Sequence, residues 1–366
     1  MAQVGLVFGG RSVEHEVSIV SARTVARALT DAGHEVVPLA VAQDGCWVGP
    51  EASAAALAGG VKALEPIGLP VAVTLRHLLA ARCDAVFPIT HGTWGEDGTL
   101  QGLFEMLDLP YVGAGVTASA VAMDKRLSKE LHRAAGIPVV DFFSIDRGEW
   151  RSRRADWLKR LSDAPMPLFV KPSVGGSSVG IRRVATPSAL EEAVDFALGF
   201  DETVLVERGV VGGRELEVAV LGYPQLEAAT AVGEIVPGNE FYDYEDKYLS
   251  DRARLIAPAV LDGETSRRIR HLAIDAFAAI GGSGMARVDF FLSDGGLFVN
   301  EINTLPGFTK ISMFPRLWEL SGLSNAELVD RLVRDARQRH ADRRRLDDGI
   351  KTFLAELARR EGAGRS

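Results

Sequence analysis

Apolar and polar positions follow two rhythms along this chain. Val4 to Phe8 is a short apolar run that reads as a buried strand. Glu16 to Ala32 shows the three-to-four-residue apolar spacing of an amphipathic helix, closed by Gly33. His34 to Val41 and Cys83 to Ile89 read as further strands, Leu100 to Leu107 as helix, and Pro110 to Val112 as extended chain. The alanine-rich stretch Ala52 to Ala58 carries a weaker signal. Strands alternating with helices predict a parallel sheet with helices on its faces, an α/β domain over residues 1–118.

A different order follows. Ser119 to Ala135 reads as one helix ended by Gly136 and Pro138. Strands are expected at Pro167 to Pro172, Val179 to Val184 and Thr203 to Glu207, with a helix at Pro187 to Leu198, making an α+β unit over 119–211. A third unit, 212–328, holds strands at Glu215 to Leu221 and Ala228 to Val232. A polar, aromatic loop at Phe241 to Asp251 has the character of a mobile lid. A helix at Glu264 to Ile280 and a hairpin from Met285 to Asn303 complete it. Residues 329–366 read as a helical tail whose run of arginines (Arg331, Arg334, Arg337, Arg339, Arg343 to Arg345) is expected to form a solvated face.

The chain has 366 residues, 47% apolar and 25% charged, as in ordinary soluble globular proteins. A net charge of −8 and a pI near 5.5 argue against a nucleic-acid surface. Cys46 and Cys83 have neither metal-ligand spacing nor a disulfide framework. The N-terminus has no basic segment and no long apolar run, so it does not read as a signal peptide. Nowhere do the roughly 20 apolar residues of a membrane span occur. A cytoplasmic protein without membrane partners is expected.

The hairpin carries the sharpest chemistry. Side chains alternate along a strand, so Arg287 and Asp289 share one face, as do Glu301 and Asn303. A three-residue turn at Asp294-Gly295-Gly296 pairs Asp289 with Glu301 and Arg287 with Asn303. Two carboxylates and an amide oxygen make a hard-oxygen site suited to Mg²⁺. A merely solvated face leaves unexplained why like charges are opposed, which costs stability unless a cation lies between them.

Other motifs are weaker singly. Val170-Lys-Pro-Ser-Val-Gly-Gly-Ser-Ser-Val-Gly180 has a lysine on a strand end and glycines that admit backbone N–H groups to an anion. It is not a Walker A loop. Lys125 lies early on a helix, and Glu207 ends an apolar strand where a carboxylate can accept a ribose or adenine hydrogen bond. Gly9-Gly10 lacks the dinucleotide pattern, which disfavours NAD. Glu14, near a helix start, is either a capping charge or an anchor for a substrate amine. His91 follows a strand's carboxyl end, where it either touches a substrate carboxylate or is an ordinary hydrogen-bonded loop histidine. Gly307 can offer a backbone N–H to an oxyanion.

The ordered set resembles the ATP-grasp superfamily, and within it the D-alanine–D-alanine ligases, from about Val4 to Leu328. The resemblance rests on Gly9-Gly-Arg-Ser-Val-Glu-His-Glu-Val-Ser18, His91-Gly-Thr-Trp-Gly-Glu-Asp-Gly-Thr-Leu-Gln-Gly102, Met123-Asp-Lys125 and the Lys171 loop. Tyr242-Asp-Tyr-Glu-Asp-Lys-Tyr248, Arg287-Val-Asp289 and Glu301-Ile-Asn-Thr-Leu-Pro-Gly307 follow in the family's order. It implies three domains with a Rossmann-like first one, and ATP held between the other two. ATP would meet Lys125, Lys171, Ser177, Ser178, Glu207, Arg208, Val210, Glu215 and Lys247. Asp289, Glu301 and Asn303 would hold two Mg²⁺, for which Mn²⁺ can substitute. Glu14 would anchor the first D-alanine with His91 nearby, and a Glu14–Ser177–Tyr248 link would fix the lid. Arg287 and Gly307 would face the oxyanion, and Ser312 the second substrate's carboxylate. Arg208 departs from the lysine or glutamine common in relatives.

The resemblance implies an ATP-dependent ligase that makes D-alanyl-D-alanine for peptidoglycan through an acyl phosphate, as a homodimer. The tyrosine-bearing lid segment favours an amine acceptor over D-lactate. D-Alanine–D-lactate or D-alanine–D-serine ligases are the rival readings, followed by a nucleotide-binding regulatory module without turnover.

Overall fold

The structure, a computed structural model, describes residues 1–59, 76, 78–237 and 254–363. The expected lid, with Lys247 and Tyr248, lies outside the described residues. Strands β1 (Gln3–Gly9), β2 (Glu35–Val41) and β3 (Ala85–Pro88) form the expected parallel sheet in the order β2-β1-β3. Tyr111 extends it through a parallel bridge to Val86. Helix His15–Asp31 lays Ile19, Ala22, Val25 and Leu29 against Leu6, Phe8 and Phe87. The alanine-rich stretch is the helix Pro50–Ala58, which buries only Ser53 and Ala56 and so shows little apolar rhythm.

A second sheet is antiparallel, β4-β7-β5-β6, from β4 (Phe142–Asp146), β5 (Leu168–Pro172), β6 (Arg182–Val184) and β7 (Thr203–Arg208). Sequence reading missed β4 and the helix Arg147–Ser162. That helix is dominated by charged positions and buries only Trp150 and Leu161. The strand expected over 179–184 shortens to β6, because Ser177 and Ser178 turn the chain with φ of 53° and 57°. The single helix expected over 119–135 is two, Val116–Met123 and Lys125–Ala134. Asp124 between them is extended (φ −86°, ψ 101°), and its side chain accepts from the backbone N–H of Leu127 at 3.0 Å.

The third sheet runs β11-β10-β8-β12-β13 with β9 on β8, from β8 (Arg214–Gly222), β9 (Glu227–Ala228), β10 (Gly233–Val236), β11 (Arg254–Ile256), β12 (Gly284–Ser293) and β13 (Gly296–Asn303). No strand spans 228–232. The backbone N–H groups of Thr230 and Ala231 leave the ladder and donate to the Ser321 hydroxyl at 2.8 and 3.3 Å. The hairpin register pairs Asp289 with Glu301 and Arg287 with Asn303 as expected, but by another route. Ser293 pairs with Gly296, so the turn has two residues, Asp294 and Gly295, not three. An irregularity between Asp289 and Phe290 makes up the difference: Phe290 pairs with Val299, leaving Asn300 as the bulged residue.

One core cluster crosses these units. Phe308 meets Phe87 of β3 edge-on, with centroids 6.1 Å apart at 85°, and lies 5.6 Å from Phe314. The final helix, Asn325–Ala363, adds Leu328, Leu332, Val333 and Ala336 to the same cluster. Its arginines are not uniformly solvated. Arg339 sits partly buried over the Tyr111 ring, 4.6 Å from its centroid. It donates to the carbonyls of Gly113 and Tyr111 and to the Ser283 hydroxyl. Helical spacing alone does not reveal that a neighbour's carbonyls lie opposite one arginine of seven. Among the described residues no helix is long and apolar enough to cross a membrane.

Arg339→Ala strips these carbonyls of a charged donor and is expected to cost about 2–4 kcal/mol. Exposed Arg337→Ala is expected to stay within about 0.5 kcal/mol of the parent. Urea unfolding of the two variants beside the parent reads both values.

Candidate active site

Two connected cavities meet beside the hairpin. The larger, about 500 Å³, lies between the second and third sheets. The smaller, about 170 Å³, opens toward the parallel sheet. Both are lined by Lys125, Ser177, Glu217, Arg287 and Glu301.

In the larger cavity, the break at Asp124 places Lys125 at the first helical position, its backbone N–H on the Ser173 carbonyl at 2.9 Å. The Lys125 ammonium donates to the Gly175 carbonyl and so braces the 173–180 loop. Two successive left-handed residues, Ser177 and Ser178, are costly for side chains with a Cβ. Both line the larger cavity, and left-handed residues in such loops are a geometry suited to anions. The Ser177 hydroxyl is buried with no hydrogen-bond partner among the described residues. Lys171 reaches the cavity from the end of β5. Glu207 does not offer a free carboxylate: Lys171 holds one oxygen at 2.7 Å, and Lys129 stands 3.2 Å from the other as an ion pair outside hydrogen-bond geometry. Burial works against the charge of Glu207, but the two lysines outweigh it and hold its carboxyl below the usual range. Arg208, Val210, Glu215 and Ser178 also line this cavity.

Arg287 stands at the junction. Its Nε and Nη2 donate to the two Asp289 oxygens at 2.7 Å each, and Nε lies 3.0 Å from Glu217. Burial opposes its charge, yet Asp289 and Glu217 raise its pKa well above the ordinary value. The amide nitrogen of Asn303 donates to Asp289 at 3.0 Å. The opposition of Asp289 and Glu301 is therefore relieved in part by Arg287, which weakens the inference that only a metal explains it. The donor set still fits Mg²⁺: Asp289 and Glu301 stand opposite each other in register at the edge of the larger cavity, and the Asn303 amide lines the smaller one beside them. Among the described residues no three His, Cys, Asp or Glu side chains cluster as metal ligands, so water and phosphate oxygens would have to complete the shell.

In the smaller cavity Glu14 heads the helix His15–Asp31, and no capping hydrogen bond occupies its side chain. One of its oxygens lies 3.7 and 3.9 Å from where Cβ atoms on Gly92 and Gly176 would stand, so both loops close on it. His91 is buried and its pKa is lowered by that burial. A neutral ring donates from Nδ1 to the Leu305 carbonyl at 3.0 Å, while Nε2 accepts from Ser21 at 3.3 Å. Ser21 in turn accepts from the Phe308 N–H at 3.2 Å. His91 thus pins the 305–308 loop to the first unit as well as lining the cavity. At Gly307 a Cβ would come 2.8 Å from the Ser312 hydroxyl, so a side chain there would push that hydroxyl aside. Ser312 itself holds Thr309 through contacts of 2.9 Å.

Three residues escaped sequence reasoning. Glu217 shares a face of β8 with Glu215, a period-two signal available in Glu-Leu-Glu. Lys129 lies one helical turn beyond Lys125, also a legible spacing. Glu96 gave no signal within its glycine-rich loop. It accepts from the Gly92 N–H at 3.1 Å, and burial, then the charge of Glu14, push its carboxyl up to about 8.

The chain matches family models described as D-ala D-ala ligase N-terminus over residues 3–114 and D-ala D-ala ligase C-terminus over 131–334. It is 42% identical to the D-alanine–D-alanine ligase A of Escherichia coli over 368 residues, covering 96% of this chain and 99% of that one. The D-alanine–D-alanine ligase A of Chromobacterium violaceum is 45% identical over 348 residues, covering 90% and 94%. Among solved structures, the D-alanine–D-alanine ligase from Coxiella burnetii superposes with a TM-score of 0.79 at 35% identity, covering 96% of this chain and all of that one. The VanG D-Ala:D-Ser ligase from Enterococcus faecalis does so with 0.76 at 33%, covering 91% and 99%. By sequence along nearly its whole length and by architecture, the chain belongs to the D-alanine–D-alanine ligase family.

Proposed function

We propose that this protein joins two D-alanines into D-alanyl-D-alanine, converting ATP to ADP and phosphate, for the synthesis of peptidoglycan precursors in the cytoplasm. The observation that carries this reading is the junction of the two cavities at Arg287. A nucleotide in the larger one would bring its terminal phosphate to the small one, where an amino acid fits. The habit of the family adds a homodimer.

In this reading Lys125, Lys171 and the 173–180 loop hold the ATP phosphates, with Arg208, Val210, Glu215 and Lys247 around the nucleoside. Asp289, Glu301 and Asn303 would hold two Mg²⁺, or Mn²⁺ in their place. When bound, the ions neutralise phosphate charge. Glu14 anchors the ammonium of the first D-alanine. The carboxylate of that D-alanine attacks the γ-phosphorus and ADP leaves, giving the acyl phosphate. The amine of the second D-alanine, held through Ser312, attacks the acyl carbon, and phosphate departs from a tetrahedral intermediate whose oxyanion faces Arg287 and the Gly307 N–H. Tyr248 would close the lid over Ser177 and keep water from the acyl phosphate. The orphan hydroxyl of Ser177 supports that link. The likeness to a D-Ala:D-Ser ligase makes D-serine the second acceptor worth testing.

The purified protein with ATP, Mg²⁺ and D-alanine is expected to release one phosphate per D-Ala-D-Ala formed, read by phosphate assay and product mass. Parallel mixtures with D-serine and D-lactate should yield far less mixed product; a predominance of D-Ala-D-Ser would replace the reading. Glu301→Gln is expected to abolish Mg²⁺-dependent turnover while its thermal melt stays near the parent's. Parent-like turnover in that variant would remove Glu301 from the metal site.

Glu96 generates a pH signature. Its ordinary value is 4.5, so the unfolded chain releases this proton while the folded protein keeps it up to about 8. The raised folded value means stability is full below about 4.5 and declines as pH rises toward 8. Glu96→Gln should flatten that decline, leaving the variant more stable than the parent at pH 8 and nearly equal at pH 4.5; denaturant midpoints across the range measure it.

A further inference from the structure

Lys129 has no place in the scheme above, yet it is the most deeply buried charged side chain near the larger cavity. It is 1% exposed, against 4% for Glu207 and 7% for Lys171. It sits behind Glu207, does not line the cavity, and approaches one Glu207 oxygen at 3.2 Å. Lys171 takes the other oxygen at 2.7 Å and does line the cavity. The three side chains come from three elements: the helix Lys125–Ala134, β7 and β5.

Charge decides what this arrangement does. One carboxylate facing one lysine at 2.7 Å would cancel most of that lysine's field toward a ligand in the cavity. With a second lysine behind it, the same carboxylate is shared, and the trio carries a net charge of one positive unit on its cavity side. A buried charge is retained only when it is paired, and here the pairing also sets what the exposed end of the trio can attract. Burial lowers Lys129 to about 8, against the pull of Glu207, which favours the charged form.

We infer that Lys129 is a positioning residue of the nucleotide site, which neutralises Glu207 from behind and so leaves Lys171 positively charged toward the ATP phosphates. The inference rests on the nucleotide reading of the larger cavity. It separates from a purely structural role because only the electrostatic role can be restored by removing the opposite charge.

The test is equilibrium binding of Mg-ATP, followed by titration calorimetry, to the parent, Lys129→Met and the double variant Lys129→Met/Glu207→Gln, with thermal melts in parallel. Lys129→Met is expected to weaken ATP binding by about tenfold, the size of one lost charge-assisted contact. The KM for D-alanine is expected to stay put. The double variant removes one charge of each sign and is expected to recover most of the loss. ATP binding by Lys129→Met within twofold of the parent overturns the inference. So does a double variant that folds but binds no better than the single one; should Lys129→Met fail to fold, Lys129→Gln takes its place in both comparisons. A parent that binds no ATP would instead overturn the nucleotide reading itself, and this inference with it.

Discussion

A half-buried guanidinium organises the centre of this molecule. Arg287 is flanked by Asp289 on its own strand and by Glu217 on β8, all within hydrogen-bond reach. Acidic side chains at this density would repel one another without it, and Arg287 would be prohibitively costly to bury without them. The cluster therefore stands or falls as a unit. Its geometry is fixed by backbone pairing: Asp289 lies opposite Glu217 on one side and Glu301 on the other. A sheet with apolar Val288 and Phe290 on its reverse face has no freedom to slide, because a one-residue slip would exchange core and cavity.

The two cavities are assembled from parts far apart in sequence, and short polar chains hold them in place. Three hydrogen bonds run from Phe308 through Ser21 and His91 to Leu305, a circuit that the backbone between 305 and 308 closes. The edge-on contact of Phe87 and Phe308 lies under that circuit. On the other side, the extended Asp124 ties the start of its helix to the 173–180 loop through the Ser173 hydroxyl at 2.7 Å. These two loops are thus fastened at their bases to rigid elements, which leaves the strained Ser177–Ser178 backbone supported.

Much of this was legible in the residues. The period-two alternation of Arg287, Asp289, Glu301 and Asn303 placed four side chains on one face, and the parallel sheet followed from strand-helix alternation. The shortfalls have physical causes. Helix Arg147–Ser162 buries two residues, too few for a rhythm. The break at Asp124 needs Ser173 and Val174 from a distant loop, which no local pattern records. The partners of Glu207 are brought together by packing of three elements, so its role as a counter-ion between lysines was invisible where its position on a strand was not. The phase shift in β13 was visible in hindsight: Leu297 and Val299 are buried two apart, and the next buried residue, Ile302, comes three later.

That shift decides which way the end of β13 faces. Because Asn300 is the extra residue, everything before it on β13 is in phase with the turn, and everything after it is in phase with the cavity. The same residues paired without the bulge would set Asn300 opposite Asp289, turning Glu301 into the hydrophobic layer and Ile302 out toward the polar one. A more regular strand would be a blind one. The irregularity acts as a gear between two alternations, and it is the reason a hairpin with an apolar underside can present acids at its open end.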